Sequence, residues 1–187
     1  MTIRLIVGLG NPGPEYELTR HNAGFLAVDQ LADKYSANFK KWQNLGDYAK
    51  ISIDGNELYL LKPMTYMNLS GKAVQSLASF YKIKPSEILV CFDDMSIDLG
   101  TLRIRKNGSA GGQKGMLSTI QTLGTQDIAR LRIGIGPRPE KFDVSSFVLS
   151  KFSKSETPLL EDALKKAVDA VESCVKDGTD RAMNKFN

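Results

Sequence analysis

His21 is the only histidine among 187 residues, and polar side chains stand close to it in sequence: Asn11, Tyr16, Arg20 and Asn22. Asn11 follows the apolar run IRLIVGL (3–9), at the strand end where open α/β sheets place their sites. Two further stretches carry the same kind of residue. KPMTYMNLSG (62–71) sets Thr65, Tyr66, Met67 and Asn68 between a strand end and a helix start, and FDDMSIDLG (92–100) sets Asp93 and Asp94 at another strand end. Three strand ends bearing Asn, His, Asn and Asp point to one polar crevice. An aspartate bonded to one imidazole nitrogen fixes the ring's tautomer and raises its basicity. The bland readings compete at each position. A lone histidine is more often structural, and aspartates at strand ends often cap helices or make turns. The chain has no serine elbow, and Cys91 lies inside an apolar run. If this is an enzyme, water is the nucleophile and His21 its base.

Gly8, Gly10 and Gly13 spell G-x-G-x-x-G after that first strand, the fingerprint of dinucleotide folds. Their setting opposes that reading. Pro12 and Pro14 remove backbone donors that would face a pyrophosphate. Glu15 and Glu17 bring negative charge toward a negative ligand, and the next strand ends in Lys62-Pro63 instead of an acidic residue for a ribose. A tight turn is the expected role of the glycines, Gly8 and Gly13 above all. A nucleotide-dependent oxidoreductase is disfavoured.

The elements that must position these residues alternate along the chain. Strands are expected at 3–9, at 49–63 (two, around Asp54-Gly55-Asn56), at 87–94, 100–108, 128–136 and 145–150. Helices are expected at 22–35, at 68–81 with Asn68 or Ser70 as cap, at 116–124 ended by Gly124, and at 157–178. The polar tail after Gly178 reads as frayed. There is no internal repeat or linker, so one α/β domain over 1–187 is expected. At 42% hydrophobic the chain can core one such domain well. The formal charge of +4 is a mild basic excess, compatible with a polyanionic partner without requiring one. Cys91 and Cys174, with a single histidine, offer neither zinc spacing nor a disulfide framework. Thr2-Ile3-Arg4 leads straight into a strand and no run is long enough to span a bilayer, so cytoplasmic residence is expected, with no membrane.

At these residues the chain resembles bacterial peptidyl-tRNA hydrolases. The resemblance rests on GLGNPGPEYELTRHNAG (8–24), KPMTYMNLSG (62–71), DDM (93–95), GSAGG (108–112) and RLRIGIGPRP (130–139), in the family's order. It implies a mixed twisted β-sheet flanked by helices in a three-layer sandwich, a monomer, and no metal or cofactor. It implies hydrolysis of the ester joining a peptide to the terminal ribose of tRNA, which recycles tRNA released prematurely from ribosomes. By the same resemblance His21 is the catalytic base, Asp93 orients it, and Asn11 and Asn68 hold water and the peptide backbone. Tyr16 and Met67 line the crevice, and Tyr66, from its place in the 62–71 stretch, is expected to bind substrate beside them. Arg105 and Arg132 match basic positions that contact tRNA phosphate. From alternation alone, Arg103 and Arg105 share one face of their strand, and Arg130 and Arg132 one face of theirs. Lys165, Lys166 and Lys176 are interleaved with acids and read as a solvated helix face.

Two departures stand out. The family's G-G-H-N-G reads Gly111-Gly112-Gln113-Lys114-Gly115 here, so Lys114 replaces a substrate-holding asparagine, and Ser96 replaces an aspartate. Neither change is expected to touch His21 or Asp93. They keep open a second reading, a relative that binds structured RNA without hydrolysing it.

Overall fold

The structure, a computed structural model, describes residues 2–187. Seven strands form one sheet: β1 (Leu5–Gly8), β2 (Lys40–Trp42), β3 (Gly46–Ile53), β4 (Asn56–Pro63), β5 (Ile88–Asp98), β6 (Leu102–Arg105) and β7 (Ala129–Gly136), in the order β2-β3-β4-β1-β5-β7-β6. The middle four, β4-β1-β5-β7, are mutually parallel, and antiparallel partners extend both edges. Parallel strands bury both faces and so read as continuous apolar runs. LIVG in β1 and ILVCF in β5 are of this kind, and every one of these residues is buried.

Successive side chains of a strand point to opposite faces. Ile6, Leu89 and Cys91 join one core with helices α1 (Ala23–Lys34) and α5 (Thr157–Lys176). Leu5, Val7 and Val90 join a second core with α2 (Ser70–Phe80) and α3 (Lys114–Leu123). The result is the expected α/β fold, a mixed sheet between two helical layers. Among the described residues no helix is long and apolar enough to cross a membrane.

The glycine fingerprint serves helix docking. No helix opens directly after the glycines; α1 begins at Ala23. A Cβ on Gly8 would lie 2.3 Å from the carbonyl oxygen of Gly24, and one on Gly24 would lie 2.3 Å from the Cys91 carbonyl oxygen and 2.5 Å from the Leu9 nitrogen. Helix α1 therefore touches β1 and β5 backbone to backbone. Gly13 makes the turn, at φ +119°.

Three local expectations fail for identifiable reasons, and one strand was not anticipated. Residues 145–150 hold the short helix α4 (Val144–Val148), not a strand; the Asp143 carboxylate accepts from Ser146 N at 3.0 Å and caps it. The tail is not frayed but forms α6 (Thr179–Phe186), with Ala182 fully buried and Met183 and Phe186 against the core. Beyond it, the Asn187 side chain accepts from Ile104 N (2.7 Å) and donates to Ile104 O (3.2 Å), satisfying a peptide group on the free edge of β6. Asn68 and Ser70 do not cap α2. A 3₁₀ turn (Met67–Leu69) precedes that helix, and the Ser70 hydroxyl donates to Met67 O at 2.8 Å. Finally β2, a three-residue edge strand, gave no periodic signal at all.

Replacing Gly24 by Ala forces backbone apart at the α1 contact. We expect Gly24→Ala to destabilise the fold by about 1–3 kcal/mol, the usual cost of overpacking, or more. Thermal unfolding checks this, and an unchanged midpoint would contradict the contact.

Candidate active site

The parallel register brings the polar residues to one end of the sheet. Gly8 pairs with Cys91, so Asp93 lies beyond that pair, level with the start of the Asn11 turn. Asp93 shares a face with Cys91, the face covered by α1, and His21 stands in the 3₁₀ turn (Arg20–Asn22) that leads into α1. The imidazole Nδ1 meets Asp93 Oδ2 at 2.8 Å, with Asp93 only 4% and His21 only 9% exposed. Beside a carboxylate, Nδ1 carries the proton and Nε2 is the free basic nitrogen.

Hydrogen bonds tie this pair to the other strand ends. Asn22 Oδ1 accepts from Asn11 N (2.8 Å), and Asn22 Nδ2 donates to Asn11 O (3.0 Å), which locks the turn after β1. Asn11 Oδ1 accepts from Met67 N at 2.9 Å, so the free group of Asn11 is its Nδ2 donor. Gln113, at the N-terminus of α3, closes the circuit. Its Nε2 donates to Asp93 Oδ1 at 3.1 Å and lies 3.3 Å from Met67 Sδ, while its Oε1 accepts from Met116 N at 2.7 Å. A closed ring thus runs His21–Asp93–Gln113–Met67–Asn11–Asn22 and returns through the His21–Asn22 peptide bond. It opens on a cavity of about 780 Å³ that Asn11, His21, Met67, Asn68, Asp93 and Gln113 help to line.

Tyr66 is exposed at the rim of this cavity, as is Lys114 in the first turn of α3. Tyr16 is not among the lining residues. It sits in the turn after Gly13, where its carbonyl accepts from the Thr19 amide and hydroxyl. Gln113 is the functional position that sequence reasoning missed. Contrary to expectation, the change at this position does touch the aspartate, because the side chain reaches over the sheet end from the opposite helical layer. Its one sequence signal was a polar residue just ahead of a helical run.

The arginines divide. In the β6–β7 register Arg103 pairs with Arg132 and Arg105 with Arg130, so all four start from one face. Arg130 is nonetheless 2% exposed, and its guanidinium donates to the carbonyls of Gly108, Ser109, Gln126 and Ile128. It clamps two loops instead of offering charge to solvent. Arg105 is exposed. Arg132 is half-buried, with its Nε 2.6 Å from Asp94 Oδ2; Asp94 also accepts from Ser96 N (2.9 Å) and Oγ (2.6 Å). Ser96 thus fits as a neutral donor where a second carboxylate would repel Asp94. Among the described residues no cluster of three or more His, Cys, Asp or Glu side chains could hold a metal ion.

Arg20 fixes the far wall. Its guanidinium lies 4.8 Å from the ring centroids of both Phe147 and Phe152, donates to Ser150 Oγ (3.1 Å), and pairs with Glu156 Oε2 (2.9 Å). Phe147 belongs to α4, whose Val144 and Val148 face the cavity.

A family model described as "Peptidyl-tRNA hydrolase" matches residues 5–187. A peptidyl-tRNA hydrolase of Elusimicrobium minutum is 64% identical over 185 residues, covering 99% of both chains. One from Desulfitobacterium hafniense is 49% identical over 186 residues, covering 99% of this chain and 100% of the relative. A crystal structure of a mutant peptidyl-tRNA hydrolase from Acinetobacter baumannii superposes with a TM-score of 0.94 at 42% identity, covering 100% of this chain and 95% of the other.

The Arg20 contact has an acid signature. Chiefly through that hydrogen bond, the Glu156 carboxyl is held down from 4.5 to about 2. A depressed carboxylate stabilises the fold fully above its unfolded value, and the contribution is lost as pH falls through the folded one. Glu156→Gln should therefore lower the urea midpoint near neutral pH, and the gap to wild type should close between about 4.5 and about 2. A gap independent of pH would contradict the ion pair.

Proposed function

The chain belongs to the peptidyl-tRNA hydrolase family, and from that premise we propose which of its residues carry the reaction. It hydrolyses the ester bond that joins peptide to tRNA in peptidyl-tRNA. The ester carbonyl enters the cavity beside His21. His21 Nε2 takes a proton from a water molecule, and the hydroxide attacks the carbonyl carbon. Asp93 holds the ring and stabilises the imidazolium that forms. The Asn11 Nδ2 donor meets the developing oxyanion, an interaction typically worth about 100- to 1,000-fold. The tetrahedral intermediate then expels the ribose oxygen, which recovers the proton from His21. The 2.8 Å His21–Asp93 contact at the cavity wall is the observation that carries this reading.

Asn68, Tyr66 and Met67 receive the peptide. Asn68 would bond a backbone group that a free amino acid lacks, and an unpaired polar site group is a costly rejection of aminoacyl-tRNA. Lys114 offers donors only, in place of an asparagine's donor and acceptor, and draws the phosphodiester backbone to the rim. Arg105 and Arg132 contact tRNA phosphate farther out. One chain supplies the whole site, which supports a monomer and a single domain over 1–187. A substrate made by translation, in prematurely released form, supports a role in tRNA recycling and a cytoplasmic location. Relatives at up to 64% identity bear the hydrolase name, which favours hydrolysis over RNA binding alone.

His21→Ala should lower release of N-blocked amino acid from tRNA by about 100- to 10,000-fold while tRNA binding survives. A variant within threefold of wild type would rule the base out. The arginines should separate. Arg105→Ala should weaken tRNA binding and flatten its salt dependence by about one unit of slope, leaving a minimal adenosine ester untouched. Arg132→Ala should do the same and also slow the minimal ester, because Asp94 at the cavity loses its partner. Equal losses on both substrates for Arg105→Ala would place that residue in the fold instead.

A further inference from the structure

We propose that Gln113 is a positioning residue for the His21–Asp93 pair, holding the second carboxylate oxygen so that the first stays aimed at the imidazole; this rests on the hydrolase reading above. The geometry leaves its amide no choice of orientation. Met116 N can only donate and Asp93 Oδ1 only accepts from an amide, so Oε1 faces the helix and Nε2 faces the carboxylate. Gln113 is 7% exposed, and with Asp93 at 4% the contact is shielded from competing water. A buried carboxylate oxygen without a donor carries a large desolvation cost and turns toward any partner it can find. The bond from Gln113 removes that freedom. It also couples the dyad to α3, because the same side chain caps that helix.

The chemistry of the amide matters as much as its place. The ionisable groups around the cavity are His21, Tyr66, Asp93, Asp94 (paired with Arg132), Lys114 and Asp143. Of these only His21 touches Asp93. A histidine at position 113, the family's usual residue, would put a second titrating ring against the same carboxylate. Glutamine gives the donor without adding a second titrating group beside Asp93.

Two roles of Gln113, capping and positioning, are separable by Gln113→Glu. A carboxylate at the helix N-terminus accepts from Met116 N as well as an amide does and suits the helix dipole. Toward Asp93 it loses the donor and sets like charge against like. Burial and that repulsion both raise its pKa. If Gln113 positions the dyad, Gln113→Glu should cut kcat about 10- to 100-fold, the effect of a misplaced catalytic group, with KM little changed. The loss should deepen on the alkaline side, where the introduced carboxyl has given up its proton and the last of the donor with it. Gln113→His, which restores an N–H toward Asp93, should keep kcat within about tenfold. The assay is release from N-blocked aminoacyl-tRNA across pH, with thermal unfolding on each variant. Gln113→Glu with wild-type kcat and pH profile would overturn the proposal and leave Gln113 a helix cap. So would an equal loss of kcat in Gln113→His and Gln113→Glu. Should the glutamate variant not fold, Gln113→His and Gln113→Asn decide the matter by the same comparison, Asn being too short to reach Asp93 and expected to lose kcat. Failure of the hydrolase reading itself looks different: His21→Ala would then match wild type in the same assay.

Discussion

A carboxylate buried within a central strand, level with the point where the neighbouring strand has ended, must have each oxygen bonded, or it destabilises the fold that buries it. Asp93 is that carboxylate, and its two oxygens face two different layers of the molecule. Oδ2 takes His21 from the α1 side, and Oδ1 takes Gln113 from the α3 side. Neither partner comes from the sheet. The single group that bonds the His21 imidazole also joins the two helical layers, so the geometry of that pair and layer packing are fixed together.

The rest of the ring follows from strand chemistry. The parallel strands β1 and β4 finish at the same edge, and each hands its chain to a helix. After β1 the handover is the Asn11 turn, locked by Asn22. After β4 it is the 3₁₀ turn at Met67, whose amide is held by Asn11. These side-chain amides satisfy backbone groups that a buried turn would otherwise leave unpaired. Satisfying them consumes one end of Asn11 and leaves its donor end for the cavity. The close approach of α1 through Gly8 and Gly24 brings His21 within reach of Asp93.

Much of this was legible in the sequence. Continuous apolar runs revealed the buried strands, and polar residues just past the ends of β1 and β4 revealed the crevice, although β5 runs on to Asp98 and holds Asp93 within it. The stretches carrying Asn11, His21, Asn68 and Asp93 also carried the family resemblance. Some of what escaped turned on tertiary contacts, and the rest on local turns and caps. Arg130 alternates like a surface arginine, yet loop carbonyls converge on it. Helix α6 is polar by composition and is ordered by Ala182 and its apolar neighbours meeting the core. The short α4 owes its form to the Asp143 cap. Tyr16 stays outside the cavity lining because the turn after Gly13 carries it elsewhere. Gln113 looked like a mere departure because nothing local says that its helix ends beside Asp93.

The central claim is that His21 and Asp93 act as one base. A double-mutant cycle of His21→Ala and Asp93→Asn in the release assay tests it most directly. Groups acting as a unit are non-additive. Asp93→Asn should slow release severely, because an amide favours the wrong imidazole tautomer, and the double variant should be no slower than His21→Ala alone, within about threefold. Losses that multiply in the double variant would show the two residues acting independently and would contradict the account.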